Sequence, residues 1–162
     1  MEAEEKKNAS QFMREAIRLA EKGVSQGDGG PFGAVVVRDG VIVGRGWNRV
    51  VVDKDPTAHA EINAIRDACR NLDSFQLDGC ELYTSCEPCP MCLAAAYWAR
   101  IDRLWYAATG EDAAAIGFDD QHIHGQLAAP EAERLIGHGQ LLRDEALAVF
   151  RRWRESGLRV DY

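Results

Sequence analysis

Met13, Ala16, Ile17, Ala20 and Val24 recur three or four residues apart, so the stretch from Ser10 to Gln26 predicts an amphipathic helix with one apolar stripe. Gly27, Gly29, Gly30 and Pro31 end it. Two runs rich in β-branched residues follow, Phe32 to Arg38 and Val41 to Trp47, with Asp39-Gly40 between them. That dipeptide suits the positive φ angles of a type I′ turn, so the pair predicts a hairpin. Pro56-Thr57 leads into a second helix, His59 to about Leu72, with Ile62, Ile65, Cys69 and Leu72 as its inward stripe. Cys80 to Ser85 reads as a strand, Pro90 to Arg100 as a helix and Arg103 to Ala108 as a strand. A strand, helix and strand at this spacing form a βαβ unit with a parallel pair. Helical pattern returns at Asp112–Ile116, and a last helix is expected from Arg143 to Glu155, docked through Leu147, Phe150 and Trp153. This order predicts an α/β fold, a three-layer α/β/α sandwich around a mixed sheet.

Composition narrows the classes. The chain has 162 residues, room for one domain, and no repeat, low-complexity tract or linker divides it. Apolar residues make up 46% and charged residues 28%, the balance of an ordinary globule, which excludes a disordered chain. No apolar run approaches the ~20 residues that span a bilayer, and MEAEEKKNAS has no apolar core of a signal peptide. A cytoplasmic protein without a membrane partner is therefore expected. The formal charge of −7 weighs against a nucleic-acid partner, because such affinity is built on phosphate neutralisation. Arg151, Arg152 and Arg154, flanked by Arg143 and Arg159, are interleaved with Glu145 and Glu155 and read as a solvated helix face.

The five cysteines, Cys69, Cys80, Cys86, Cys89 and Cys92, are odd in number, which favours metal or thiol chemistry over a disulfide framework. Pro90 suits the first position of its helix, so Cys89 is placed as N-cap and Cys92 as the third helical residue. The positive end of the helix dipole there favours thiolates. Cys86 is spaced equally well from Cys89, but Glu87 precedes Pro88 and is biased away from helix, which leaves Cys86 at the strand end. A lone histidine at position 59 would read as a packed core residue. Followed by Ala60-Glu61 and, downstream, by Pro88-Cys89-x-x-Cys92, it completes the His-x-Glu…Pro-Cys-x-x-Cys signature of zinc deaminases that act on bases. One Zn²⁺ per subunit, held by His59, Cys89 and Cys92, keeps an open fourth position, as catalytic zinc sites do. Glu61 then serves as proton shuttle; its other reading is a helix-start carboxylate. A non-enzymatic reading also exists, in which Cys86 closes the site as a fourth ligand of a structural zinc module that binds a partner.

With these residues the chain resembles the cytidine deaminase superfamily and, within it, most closely the bacterial guanine deaminases. The resemblance covers nearly the whole chain: GGPFGAVVVRDG at 29–40, Trp47-Asn48, DPTAHAEINAIRDAC at 55–69, LYTSCEPCPMC at 82–92, YWAR at 97–100, IGFDD at 116–120 and Tyr162. It implies a five-stranded mixed sheet, deamination of guanine to xanthine with loss of ammonia, and a homodimer. The C-terminal segment, about 143–162, would then cross to the partner subunit. By the same resemblance Asn48 orients the base, Phe32 walls its pocket, Asp120 contacts the substrate and Tyr162 is a lid, with Ala60 and Trp98 as further substrate contacts. Guanine presents N1–H beside its amino group, two donors that an ionised Asp120 could accept, whereas adenine and cytosine present a ring lone pair there. Asp119-Asp120 also suits a helix N-cap pair, and Asn48 a turn at a strand end. Guanosine is the nearest alternative substrate, with tRNA adenosine and cytosine behind it. His122, His124 and His138, in the poorly matched stretch 121–140, read as surface residues.

Overall fold

A computed structural model describes residues 2–162. They form two compact units, one running to Asp120 and one from Gln121 to Tyr162. The first unit holds α1 (Glu2–Gln26), β1 (Gly33–Arg38), β2 (Val41–Trp47), α2 (Val50–Asp53), α3 (Ala60–Leu72), β3 (Cys80–Cys86), α4 (Pro90–Trp98), β4 (Arg103–Ala108) and α5 (Gly110–Ala115). The sheet order is β2-β1-β3-β4, with β1 antiparallel to both β2 and β3 and β4 parallel to β3. Asp39 and Gly40 have φ of 51° and 76°, as the hairpin reading required.

The sheet is mixed, but it has four strands where five were expected. After β4 the chain is turned into α5 by a capping box, in which the Asp112 amide donates to the Thr109 hydroxyl and the Asp112 carboxylate accepts from the Thr109 amide. Residues 129–142 carry no alternating β-branched run that could add a strand beyond β4.

Helices cover both faces of the sheet. On one face α1 packs Leu19, Phe12 and Met13 against Val35, Val37, Tyr83 and Trp105. On the other, Ala60, Ala64 and Ala68 of α3, Ala96 of α4 and Ala99 just after it pack against Ala34, Val36, Leu77 and Leu82. Both inward faces are rotated from the expected stripes. Ile17 and Val24 of α1 are half exposed while Leu19 is buried, and α3 turns its alanines rather than Ile62 to the sheet. For α3 the cause is close approach. A Cβ on Gly46 would lie 2.2 Å from the Ala60 carbonyl oxygen, and one on Gly44 2.4 Å from that of Ala64. Only a helix face of small side chains fits so near a strand.

The second unit comprises α6 (Gln121–Ala128), a 3₁₀ turn (Glu131–Glu133) and α7 (Arg143–Glu155). No residue of it is buried, and Phe150 and Trp153 are exposed in the single chain. His122, His124 and His138 are exposed, as expected.

Candidate active site

Two helix starts converge. His59 is the N-cap of α3 and Cys89 the N-cap of α4, both extended, with Pro90 opening α4. Sγ of Cys89 and of Cys92 lie 3.6 and 3.4 Å from Nδ1 of His59, and the three ligand atoms lie within 4.8 Å of one another. With Zn–S of about 2.3 Å and Zn–N of about 2.0–2.1 Å, a sulfur-to-nitrogen edge of a zinc tetrahedron is about 3.6 Å. The cluster therefore fits zinc in donor type, number and spacing. Cys86 stands outside it: its thiol is buried and lies 3.5 Å from the Thr109 carbonyl oxygen, to which it donates. Among the described residues three side chains are grouped so that they could hold a metal, and Cys86 is not one of them.

The two thiols are driven in opposite directions by their contact. The hydrogen bond from Cys92 holds the Cys89 thiol down to about 4, helped by His59 and opposed by burial. The same bond, with burial, pushes the Cys92 thiol up, as expected where one proton is shared between neighbouring sulfurs. The bond to Cys89 raises the His59 imidazole, against burial. Glu61, in the first turn of α3, is buried, and burial followed by the negative charge of Cys89 raises its carboxyl, against hydrogen bonds from the backbone and the Cys92 thiol. A carboxyl in such surroundings can carry a proton nearer neutral pH than an exposed one.

Around this centre the substrate-contact candidates are placed unevenly. Asn48 is buried, and its Oδ1 accepts from the Gly30 and Val50 amides at 3.1 and 3.2 Å. Nδ2 is the end of that amide left to donate. The Asn48 segment is laced to the metal helix: the Arg49 amide donates to the Ala58 carbonyl, and Asn63 Nδ2 donates to the carbonyls of Trp47 and Ala58. Phe32 is half-buried beside it. Its ring meets that of Phe118 edge-on, with centroids 4.9 Å apart and planes at 86°. Phe118 was missed as a site residue, although its place inside IGFDD was the available signal. Gly30 makes room for both rings, since a Cβ there would lie 2.9 Å from Phe118 and 3.0 Å from Phe32.

The Ala60 side chain is sealed in the core, so its backbone alone can face a ligand. Asp120 stands immediately before α6, the position of an N-cap. Trp98 is exposed at the far end of α4, about 13 Å along the axis from Cys89 at 1.5 Å per residue, and is not brought to the ligands of its own chain. Tyr162 is exposed in the second unit.

Residues 6–108 match the family described as the cytidine and deoxycytidylate deaminase zinc-binding region. The chain is 50% identical to the guanine deaminase of Bacillus subtilis over 155 residues, 96% of this chain and 99% of that one. The X-ray structure of that protein matches with a TM-score of 0.91, covering 94% of this chain and 98% of the other. A guanine deaminase from Nitrosomonas europaea is similar at 38% identity and a TM-score of 0.64, over 87% of this chain and 81% of that one. The tRNA-specific adenosine deaminase of Aquifex aeolicus is 43% identical over 97 residues, 60% of this chain and 64% of that one.

Proposed function

The chain belongs to the family of zinc-binding cytidine and deoxycytidylate deaminases, and from that premise we propose that it hydrolyses guanine to xanthine and ammonia. The observation that carries guanine is the similarity to a guanine deaminase, 50% identity over 96% of the chain, against 39% over 83% of it with the tRNA-specific adenosine deaminase of Haemophilus influenzae.

Zinc bound by His59, Cys89 and Cys92 supplies Lewis-acid activation of water near neutral pH. Glu61 carries the protons. It takes one from the attacking water and delivers it to N3 while the oxygen bonds to C2. It then takes the remaining proton of that oxygen and gives it to the amino group. The C2–N bond breaks, its electron pair leaves with ammonia, and C2 becomes the carbonyl of xanthine. Asn48 Nδ2 donates to an acceptor on the base, the Ala60 amide lends a main-chain donor at the helix start, and Phe32 with Phe118 walls the ring. Asp120 accepts from the N1–H side and so selects guanine.

The homodimer belongs to the same reading. Leu93, Tyr97 and Trp98 leave the outer face of α4 apolar and exposed, and Leu141, Phe150, Leu158 and Val160 do so in the second unit. Patches of this kind suit burial against a second copy. The single deaminase domain then spans 1–162, with the segment from about 143 to 162 crossing to the partner. There Tyr162 closes the partner's pocket, and Trp98 serves across the α4 contact. Five free thiols suit the cytoplasm.

The test is ammonia release from guanine, guanosine, adenine, cytosine and tRNA. Guanine should be turned over fastest; a preference for any other member of the panel refutes the assignment. For the crossing, a chain lacking Tyr162 is mixed with a Glu61→Gln chain. Recovered activity is expected, and none despite confirmed subunit exchange would confine the lid to its own chain.

A further inference from the structure

Asp28 lies in the turn after α1, far from the zinc ligands in sequence, and is almost fully buried. Its Oδ2 accepts from Trp47 Nε1 at 2.7 Å and from Arg49 Nη1 at 3.4 Å. These are the residues on either side of Asn48. Its carbonyl oxygen accepts from the Val51 and Val52 amides, both at 3.1 Å, and its own amide donates to the Gly23 carbonyl at 3.0 Å. One residue thus grips the Asn48 segment before, after and below. The neighbouring glycine completes the fit: a Cβ on Gly29 would lie 2.1 Å from Asn48 Oδ1.

We propose that Asp28 is a positioning residue for substrate recognition, holding Trp47 and Arg49 so that the Asn48 amide keeps one orientation beside the His59–Glu61 helix start. The inference rests on the reading of Asn48 as a base contact. Two features separate it from a merely structural tie. The grip falls on both neighbours of one buried amide whose acceptor end is already spent. It also continues, through the Arg49 amide and Asn63, to the Ala58 carbonyl next to His59. A hydrogen-bonding amide turned or shifted by about 1 Å loses its aim, and displacements of that size can cost up to roughly 10²-fold in rate.

The experiment measures kcat and KM for guanine, zinc content and Tm of Asp28→Ala, Asp28→Asn, Trp47→Phe and Asn48→Ala, and of Asp28→Ala combined with Asn48→Ala. Asp28→Ala should raise KM about tenfold, with less change in kcat and zinc retained. Asp28→Asn keeps an acceptor for Trp47 and should recover to within about threefold, while Trp47→Phe should reproduce part of the loss. In the Asn48→Ala background Asp28→Ala should add almost nothing, because its effect passes through that amide. A lowered Tm with unchanged KM and kcat in the folded variants would overturn the proposal, and so would multiplicative losses in the double variant. Should Asp28→Ala fail to fold, Trp47→Phe decides: a raised KM with zinc retained supports the proposal, and an unchanged KM overturns it. Normal guanine kinetics in Asn48→Ala would instead refute the underlying reading of Asn48, and is told apart by appearing in that single variant.

Discussion

The two faces of the sheet are filled by different means. Toward α1 the gap is filled by bulky side chains, Phe12, Met13, Leu19, Tyr83 and Trp105, around one backbone contact, where a Cβ on Gly33 would lie 2.1 Å from the Ala16 carbonyl oxygen. Toward α3 it is closed by backbone against backbone, with Gly44 and Gly46 under an alanine face. The chemistry sits on the second face. Bulky side chains can repack after a change in volume, whereas a helix held on a strand at two glycines has little room to move. His59 and Glu61 flank Ala60, whose carbonyl Gly46 abuts, so the position of the candidate metal and proton groups is set by a contact with almost no freedom. Three substitutions separate the two faces.

Glu61→Gln removes the proton carrier without touching the packing. Turnover should fall by at least about 10²–10⁴-fold with zinc and Tm retained. Near-normal turnover in zinc-loaded protein would refute the mechanism. Gly46→Ala attacks the close contact itself. The new Cβ meets backbone atoms of Ala60 and Ala64, so α3 must move. A loss of about 1–3 kcal/mol in stability is expected, together with a fall of about tenfold or more in kcat/KM. Urea unfolding and steady-state kinetics read the two separately, and intact kinetics would show that the helix start is less constrained than the contact implies. Leu19→Ala, on the bulky face, should cost more stability, about 2–5 kcal/mol, yet leave kcat/KM of the folded protein within about twofold. Should it damage catalysis as much as Gly46→Ala does, the two faces are not independent.

The same contrast explains what could be read from the chain beforehand. The hairpin announced itself through Asp39-Gly40, and α4 through Pro90. The His59, Cys89 and Cys92 cluster was legible because the spacing of its ligands follows from helix starts. The rotation of α1 and α3 was not. An apolar pattern weights isoleucine above alanine, but distance to the sheet decides, and Gly44 and Gly46 announce a close approach only once the strands are paired. Val50-Val51-Val52 looks β-forming and nonetheless makes the turn α2, because the Asp28 carbonyl and Asn48 Oδ1 take its amides. The expected fifth strand came from the resemblance rather than from any pattern in residues 109–162, and none forms there. The grip of Asp28 on both sides of Asn48 joins segments 19 and 21 positions apart, beyond the reach of any local motif.

The ligand set also has a mechanical meaning. His59 and Cys89 are 30 positions apart, on different helices, and an ion between them is a cross-link that closes a loop through α3 and β3. Disulfides do that work in oxidising surroundings; here a metal would do it through an imidazole and two thiolates. The bond is conditional, since acid or a chelator would undo it without breaking the chain. A backbone cut in the turn between Asp73 and Asp78 would then leave two fragments fastened at the metal. Withdrawing it would leave only the β1–β3 pairing and the shared core to hold them.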